Sequence, residues 1–178
     1  MIFKIGVFLF SITTLFANTI YNSNLLNIQA KVYPKIIISD KNVKNKTVKN
    51  KIILTILYEE IDFNTALVLK DKIENNYKNL KEIDFLVNLI KIDEFDRTEP
   101  LSTAYYFLLG DKSKISSISH FVALNNRLTF SYDDTYLKNG VIFGLKINAQ
   151  IDIFLNLKEL KHSKIELENS LFNAVTIK

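Results

Sequence analysis

The sequence predicts a single α/β domain in which a mixed, mostly parallel sheet is crossed by helices and ends in a C-terminal β-hairpin. Three observations carry that expectation. Ile52 to Tyr58 (IILTILY) is a continuous, β-branched-rich apolar run, the pattern of a strand buried on both faces as in a parallel sheet. An amphipathic segment and then a second apolar run follow it, the β, α, β order of a right-handed crossover. Near the end of the chain, Val141 to Ile147 and Ile151 to Leu155 flank the short connection Asn148-Ala149-Gln150, as the two strands of a hairpin would.

Ahead of the domain, Lys4 is the only charge before a mostly apolar run from Ile5 to Phe16, which ends at Ala17 with polar Asn18 and Thr19 behind it. That order of charge, apolar run and small residue is the order of a secretory signal peptide, so residues 1–17 are expected to direct export and residues 18–178 to form the domain. A membrane-spanning helix needs about 20 predominantly apolar residues. This run falls short of that and carries Ser11, Thr13 and Thr14 inside it.

The elements follow in order. Asn24 to Ile38 places Leu25, Ile28, Val32 and Ile36 on one helical stripe, with Pro34 expected to end or kink the helix near Tyr33. Ser39 to Lys51 holds five lysines and three asparagines and reads as a solvated loop. After the Ile52 to Tyr58 strand, Ala66, Leu67, Leu69, Ile73 and Tyr77 recur near helical spacing within Asn64 to Tyr77, the crossover helix. Asp84 to Ile92 is the second strand. Beyond the polar stretch Asp93 to Pro100, Ala104 to Leu109, closed by Gly110, reads as a third. Ser113 to Asn125 follows as a helix carrying Ile115, Ile118, Phe121 and Val122, with Ser113 or Ser116 as the expected cap. Leu128 to Tyr132 is short and rich in apolar and aromatic residues, which suits a fourth strand. A polar connector from Asp133 to Gly140 leads to the hairpin, and the C-terminal stretch is expected to form helical turns and a short strand.

Composition excludes several functions. There is no cysteine, so disulfides, thiolate metal sites and cysteine nucleophiles are ruled out. Beyond the leader, 22 basic residues face 19 acidic ones, too small an excess to argue for nucleic acid. The lysine-rich loop lacks the interleaved aromatic or Arg side chains that stack on bases or grip phosphates. Four glycines, none in a G-x-G-x-x-G or P-loop arrangement, leave no backbone cradle for a nucleotide. His120 and His162 stand alone, without metal-ligand spacing, and read as ordinary surface or half-buried residues. No serine sits in a nucleophile elbow.

The best positional candidates for a site are two acidic clusters, Glu59-Glu60-x-Asp62 and Asp93-Glu94-x-Asp96. Each directly follows an expected strand, where open α/β sheets place ligand-binding groups. The same pattern is produced by an acidic turn that starts a helix, since negative charge is favoured at a helix N-terminus. Asp133-Asp134 reads as turn chemistry rather than a cation site, because hard cations take six or more oxygens from a shaped loop. No catalytic set, cofactor site or metal site is expected.

The C-terminal third carries a resemblance. Arg127-Leu128-Thr129-Phe130-Ser131-Tyr132, Leu137-Lys138-Asn139-Gly140-Val141-Ile142, Ile151-Asp152-Ile153-Phe154-Leu155-Asn156-Leu157 and Ser170-Leu171-Phe172-Asn173-Ala174 resemble the YfiR-like family of periplasmic regulatory proteins. The opening helix with Tyr33, the strand closing on Leu109-Gly110 and the export signal stand in the same order. The resemblance spans most of the mature chain and is specific from about Arg127 onward. It implies a non-enzymatic periplasmic regulator in cyclic-di-GMP or related signal transduction. Such a protein would restrain an inner-membrane sensor protein, a diguanylate cyclase or a histidine kinase, by protein-protein interaction with its periplasmic domain; a homodimer is compatible with that role. The family's cysteine pairs are absent, so redox control through them does not operate here. The alternative is a periplasmic solute-binding accessory module with its pocket near Glu60 and Asp93.

Overall fold

The computed structural model describes residues 20–99 and 101–178; the expected signal peptide, residues 1–17, lies outside them. Among the described residues, one sheet holds β1 (Ile52–Tyr58), β2 (Asn79–Leu80), β3 (Ile83–Lys91), β4 (Ala104–Phe107), β5 (Leu128–Ser131), β6 (Phe143–Ile147), β7 (Ile151–Leu155) and β8 (Thr176–Ile177). Their spatial order is β2-β3-β1-β4-β5-β6-β7-β8. The helices are α1 (Ser23–Ile37), α2 (Phe63–Asn76), α3 (Lys112–Leu124), α4 (Leu157–Ser163) and α5 (Asn169–Phe172).

Strands β3, β1, β4, β5 and β6 are parallel neighbours, and β6 and β7 form the antiparallel hairpin. The α/β fold with a mostly parallel sheet, crossover helices and a C-terminal hairpin is therefore as the sequence predicts. Within the parallel set, the first strand in the chain lies between the second and the third, the doubly wound order in which ligands bind where the connections diverge. Here that point is the gap between the C-terminal ends of β1 and β4.

Side-chain alternation on β1 builds the two cores. Ile52, Leu54, Ile56 and Tyr58 point to one face and pack with Leu26, Ala30, Tyr33 and Ile37 of α1 and Ala66, Leu69 and Ile73 of α2. Leu57, with Tyr105 and Phe107 of β4, faces the other side against Ile115, Ile118 and Val122 of α3. Burying both faces explains why β1 has no polar position other than Thr55, whose hydroxyl hydrogen-bonds Ser102 at 2.7 Å. The sheet tapers at both ends to two-residue strands. Along the outer side of β3, the Phe85 N–H donates to the Lys78 carbonyl and the Val87 N–H donates to the Glu74 carboxylate of α2.

Helix α1 departs from expectation in two respects. It continues through Pro34 to Ile37, so of the two effects expected of the proline, an end or a kink, the end near Tyr33 does not occur. Proline forfeits one intrahelical bond at a cost of about 3 kcal/mol; burial of Tyr33, Ile36 and Ile37 around it offsets that loss. The deeply buried face is also Leu26, Ala30, Tyr33 and Ile37, while Leu25, Ile28 and Val32 form a half-buried flank and only Ile36 of the expected stripe is fully buried. The reason is that α1 packs on the sheet and on α2 at once, and so needs a wider apolar face than one stripe.

A polar knot fixes α1 to the sheet. Gln29, 1% exposed, donates through Nε2 to the carbonyls of Ser131 (3.2 Å) and Tyr132 (3.0 Å) at the end of β5. Its Oε1 accepts from the Tyr106 hydroxyl of β4 at 2.6 Å, and the Tyr33 hydroxyl donates to the Ser131 carbonyl at 2.9 Å. At the head of the helix the Asn22 side chain accepts from the Asn24 and Leu25 N–H groups, so the first turn is capped.

Three connectors also differ from expectation. Helix α3 is capped by Asp111, whose carboxylate accepts from the Lys114 N–H, rather than by Ser113 or Ser116. The Asp133 to Gly140 connector winds into a 3-10 turn over 134–139 that buries Tyr136 and Leu137. Gly140 ends it at φ +87°, in the left-handed region that favours glycine, and a Cβ on Gly144 of β6 would lie 2.5 Å from Leu137 Cδ1. The lysine-rich segment is not a plain solvated loop: a 3-10 turn over Val43–Lys46 buries Val43 and Lys46, and the Lys46 ammonium pairs with the buried Asp40 carboxylate.

Removing the Tyr106 hydroxyl leaves the Gln29 carbonyl oxygen buried without its donor, which costs about 1–3 kcal/mol. Tyr106→Phe is therefore expected to lower the urea midpoint without changing the m-value, whereas Tyr77→Phe, whose hydroxyl donates to the Lys31 carbonyl at an exposed site, shifts it much less.

Candidate functional site

The doubly wound order directs attention to the C-terminal ends of β1 and β4, and the chain fills that crevice with its own side chains. The Tyr21 hydroxyl accepts from the Leu109 N–H at 3.0 Å. The Tyr136 hydroxyl lies 3.1 Å from both the N–H and the carbonyl of Gly110, and Glu59 Oε1 accepts from the Asp111 N–H at 3.3 Å. The Cβ of any residue replacing Gly110 would lie 3.2 Å from that same Glu59 oxygen, so the loop after β4 closes tightly over the end of β1. Backbone N–H groups that would face a ligand in an open crevice are thus already engaged.

Each acidic residue that the sequence singled out has a partner here. Glu60 pairs with Lys91, and Glu94 reaches the same lysine at 3.7 Å. Asp93 pairs with Lys114 at the start of α3, and Asp96 accepts from the Thr98 N–H and hydroxyl at 2.7 Å. Hydrogen bonds from Thr98 hold the Asp96 carboxyl below the usual carboxylate range. Asp62 is buried beside the Tyr21 hydroxyl; burial pushes its carboxyl up, the hydroxyl pulls it back, and the Glu59 charge adds to the rise. Asp133 accepts from the Thr135 N–H at 2.8 Å, and Asp134 pairs with Lys178 at 3.1 Å. The two clusters follow β1 and β3, and their carboxylates are spent on lysines, backbone amides, the Thr98 hydroxyl and Tyr21. His120 is exposed, and His162 is exposed at 3.9 Å from Glu159. Among the described residues no group of three or more His, Asp or Glu side chains is placed to hold a metal ion.

Two features at this end stand out, the first of which was not apparent from the sequence. The first is a shallow apolar pocket of about 200 Å3 between the head of α1 and the first turns of α2, lined by Tyr21, Leu26 and Val68 among others. Val68 in its wall is 48% exposed, and close by in the chain Ile61 is 90% exposed and Phe63 and Leu67 are each more than 40% exposed. Phe63 and Leu67 stand one turn apart on α2, outside the stripe of Ala66, Leu69 and Ile73 that packs on the sheet. In the sequence these apolar residues blend with the core stripe; only the direction of the helix face separates them. The second is an open pocket of about 350 Å3 beside Asp93, lined by Phe95, Arg97, Lys114 and Ser117, with Arg97 stacked over the Phe121 ring at 5.1 Å.

These features define a three-layer α/β protein with a self-closed switch-point crevice and an apolar surface beside it. No protein-family model and no curated protein sequence matches the chain. Solved structures share its fold. A conserved domain protein from Vibrio cholerae O1 biovar El Tor is 12% identical with a TM-score of 0.56, covering 85% of this chain and 59% of that one. An ABC domain from Streptococcus pneumoniae, in complex with L-Trp, is 7% identical with a TM-score of 0.54, covering 80% of this chain and 61% of that one. The chain thus spans about three fifths of the length of each, and the likeness is one of fold. No helix among the described residues is long and apolar enough to cross a membrane.

The raised Asp62 carboxyl has a sign that can be measured. Between the ordinary carboxylate value near 3.9 and the higher folded value, the folded protein holds more protons than the unfolded chain. Its stability therefore falls as pH climbs through that window. Asp62→Asn is expected to remove this part of the slope, so that urea stability of the variant relative to wild type rises from pH 4 to pH 7; an unchanged difference across that range refutes the assignment.

Proposed function

We propose that this chain is a periplasmic regulatory protein that binds the periplasmic sensor domain of an inner-membrane signalling protein, a diguanylate cyclase or a histidine kinase, and restrains it. The observation that carries this reading is the exposed apolar surface of Ile61, Phe63, Leu67 and Val68 beside the Tyr21 and Leu26 pocket. A cluster of large apolar side chains in water is the mark of a protein contact. Aromatic and aliphatic anchors beside a pocket are the usual energetic centre of one. The resemblance of the segments from Arg127 onward to YfiR-like regulators supports the same reading, and so does the leader-like N-terminus. The self-closed crevice adds support, since the position where such folds bind small molecules is given over to internal contacts.

Charge at the exposed anchors separates binding from folding. Ile61→Asp combined with Val68→Asp replaces exposed side chains and is expected to change stability by only about 0.5 kcal/mol per site. It is also expected to weaken capture of the partner's purified periplasmic domain at least tenfold. Equal capture by wild type and variant, or deletion that leaves both cyclic-di-GMP level and kinase output unchanged, would sink the proposal.

A second reading, a periplasmic solute-binding accessory module, draws on the 350 Å3 pocket beside Asp93 and on the L-Trp held by the streptococcal neighbour. Under it, a ligand at 100 times its dissociation constant adds about 2.7 kcal/mol of stability. A thermal-shift screen with small cations and amino acids is expected to reveal such a rise; silence across the screen removes this reading.

A further inference from the structure

The opposite end of the sheet has a different electrostatic character. Below the N-terminal ends of β4 and β5 lies a pocket of about 390 Å3 lined by Lys46, Arg127 and Lys164 and by asparagine amides, Asn42, Asn45 and Asn126 among them, with no acidic side chain in its wall. Three chain segments distant in sequence meet there: the turn after α1, the tight turn between α3 and β5, and the end of α4. The Thr103 hydroxyl and Arg127 Nη1 both donate to the Lys46 carbonyl, at 3.0 and 3.4 Å, so the wall is tied together by backbone as well as side chains.

Charge in this wall is not balanced by the protein. Lys46 is paired with Asp40, which leaves Arg127 and Lys164 uncompensated; Lys164 makes no ion pair among the described residues. Helices α3 and α4 both end at the pocket, at Asn125 and Lys164, and their C-terminal partial charges supply about −0.5 each. That offsets roughly one of the two cations and leaves the pocket positive. Arg127 is half-withdrawn from solvent, its Nε is buried without a hydrogen-bond partner, and burial lowers its basicity and that of Lys46. A guanidinium offers five donors, of which the protein engages one through Nη1. Desolvated positive charge with spare donors is stabilised by an anion whose oxygens accept several of them at once.

We propose that this pocket binds a small tetrahedral oxyanion of the phosphate type, held by Arg127 and Lys164 with the side-chain amides of Asn42 and Asn45 completing its coordination. The site lies at the other end of the sheet from the apolar docking surface and stands whether or not that surface has its partner. It draws the turn after α1 toward the turn that starts β5, so occupancy stiffens the segment around Lys46.

The test is titration of the purified protein with potassium phosphate and, separately, potassium sulfate, against potassium chloride and potassium succinate at matched ionic strength. It is followed by thermal unfolding and by the amide NMR shifts of residues 42–46 and 125–127. The expected result is a saturable rise in Tm and saturable shifts confined to those residues with phosphate or sulfate, and neither with chloride or succinate. Arg127→Ala is expected to weaken the apparent affinity at least tenfold. Because Arg127→Ala removes a partly buried side chain, Lys164→Asn serves as the second variant: it keeps a residue that tolerates the left-handed backbone at φ +53° and is expected to weaken binding severalfold with an unchanged fold. Non-saturable behaviour, equal effects of chloride, a response to succinate alone, or wild-type affinity in both variants overturns the proposal.

Discussion

The buried Gln29 amide is the constraint on which the rest of the arrangement depends. A primary amide inside a protein must find partners for both its ends or cost several kcal/mol. Gln29 finds them only if α1 lies over the ends of β4 and β5, with Tyr106 below it and the Ser131 and Tyr132 carbonyls beside it. Apolar packing alone would let the helix slide or rotate by small amounts with little penalty. The knot removes that freedom. With α1 held in place, its first residues are delivered to the switch point, Tyr21 reaches the Leu109 amide, and the apolar pocket between α1 and α2 acquires its shape.

The two ends of the sheet consequently serve different chemistry. At the C-terminal end of the strands, acids outnumber the bases near them, yet each carboxylate is matched: Glu60 and Glu94 share Lys91, and Asp93 takes Lys114. What remains unmatched there is apolar, at Ile61, Phe63, Leu67 and Val68. At the N-terminal end, positive charge is left over around Arg127.

Much of the fold was legible because it rests on local pattern. β1 is found over the same residues that the apolar run predicted, and α2 and α3 differ from their expected bounds by a residue at each end. β7 likewise matches, Ile151–Leu155. What the pattern could not show depends on partners far away in sequence. Lys46 looked like one more lysine in a solvated run, and only Asp40, carried into the interior by the end of α1, makes its burial tolerable. Asp111 outcompetes two serines as the cap of α3 because the turn after β4 brings its carboxylate to the Lys114 amide. The acidic clusters were placed correctly at strand ends; their neutralisation by Lys91 and Lys114 is a property of the fold, not of spacing. Arg127 stands in the sequence only within a run that resembles one family's pattern, and its unpaired guanidinium nitrogen is visible only once three segments have converged on it.

The treatment of the outer flank of β3 has a consequence for assembly. A long edge strand with free amides is a template on which a second molecule can add its own strand. Here the β2 turn takes the Phe85 amide through the Lys78 carbonyl, and the Glu74 carboxylate, paired with Lys70 at 3.8 Å, takes the Val87 amide. The far edge tapers to Thr176–Ile177. Growth of the sheet from molecule to molecule is discouraged at the Glu74 rim. The exposed apolar side chains at Ile61 and Phe63 are in this way kept from adding strand-by-strand growth to any contact they make.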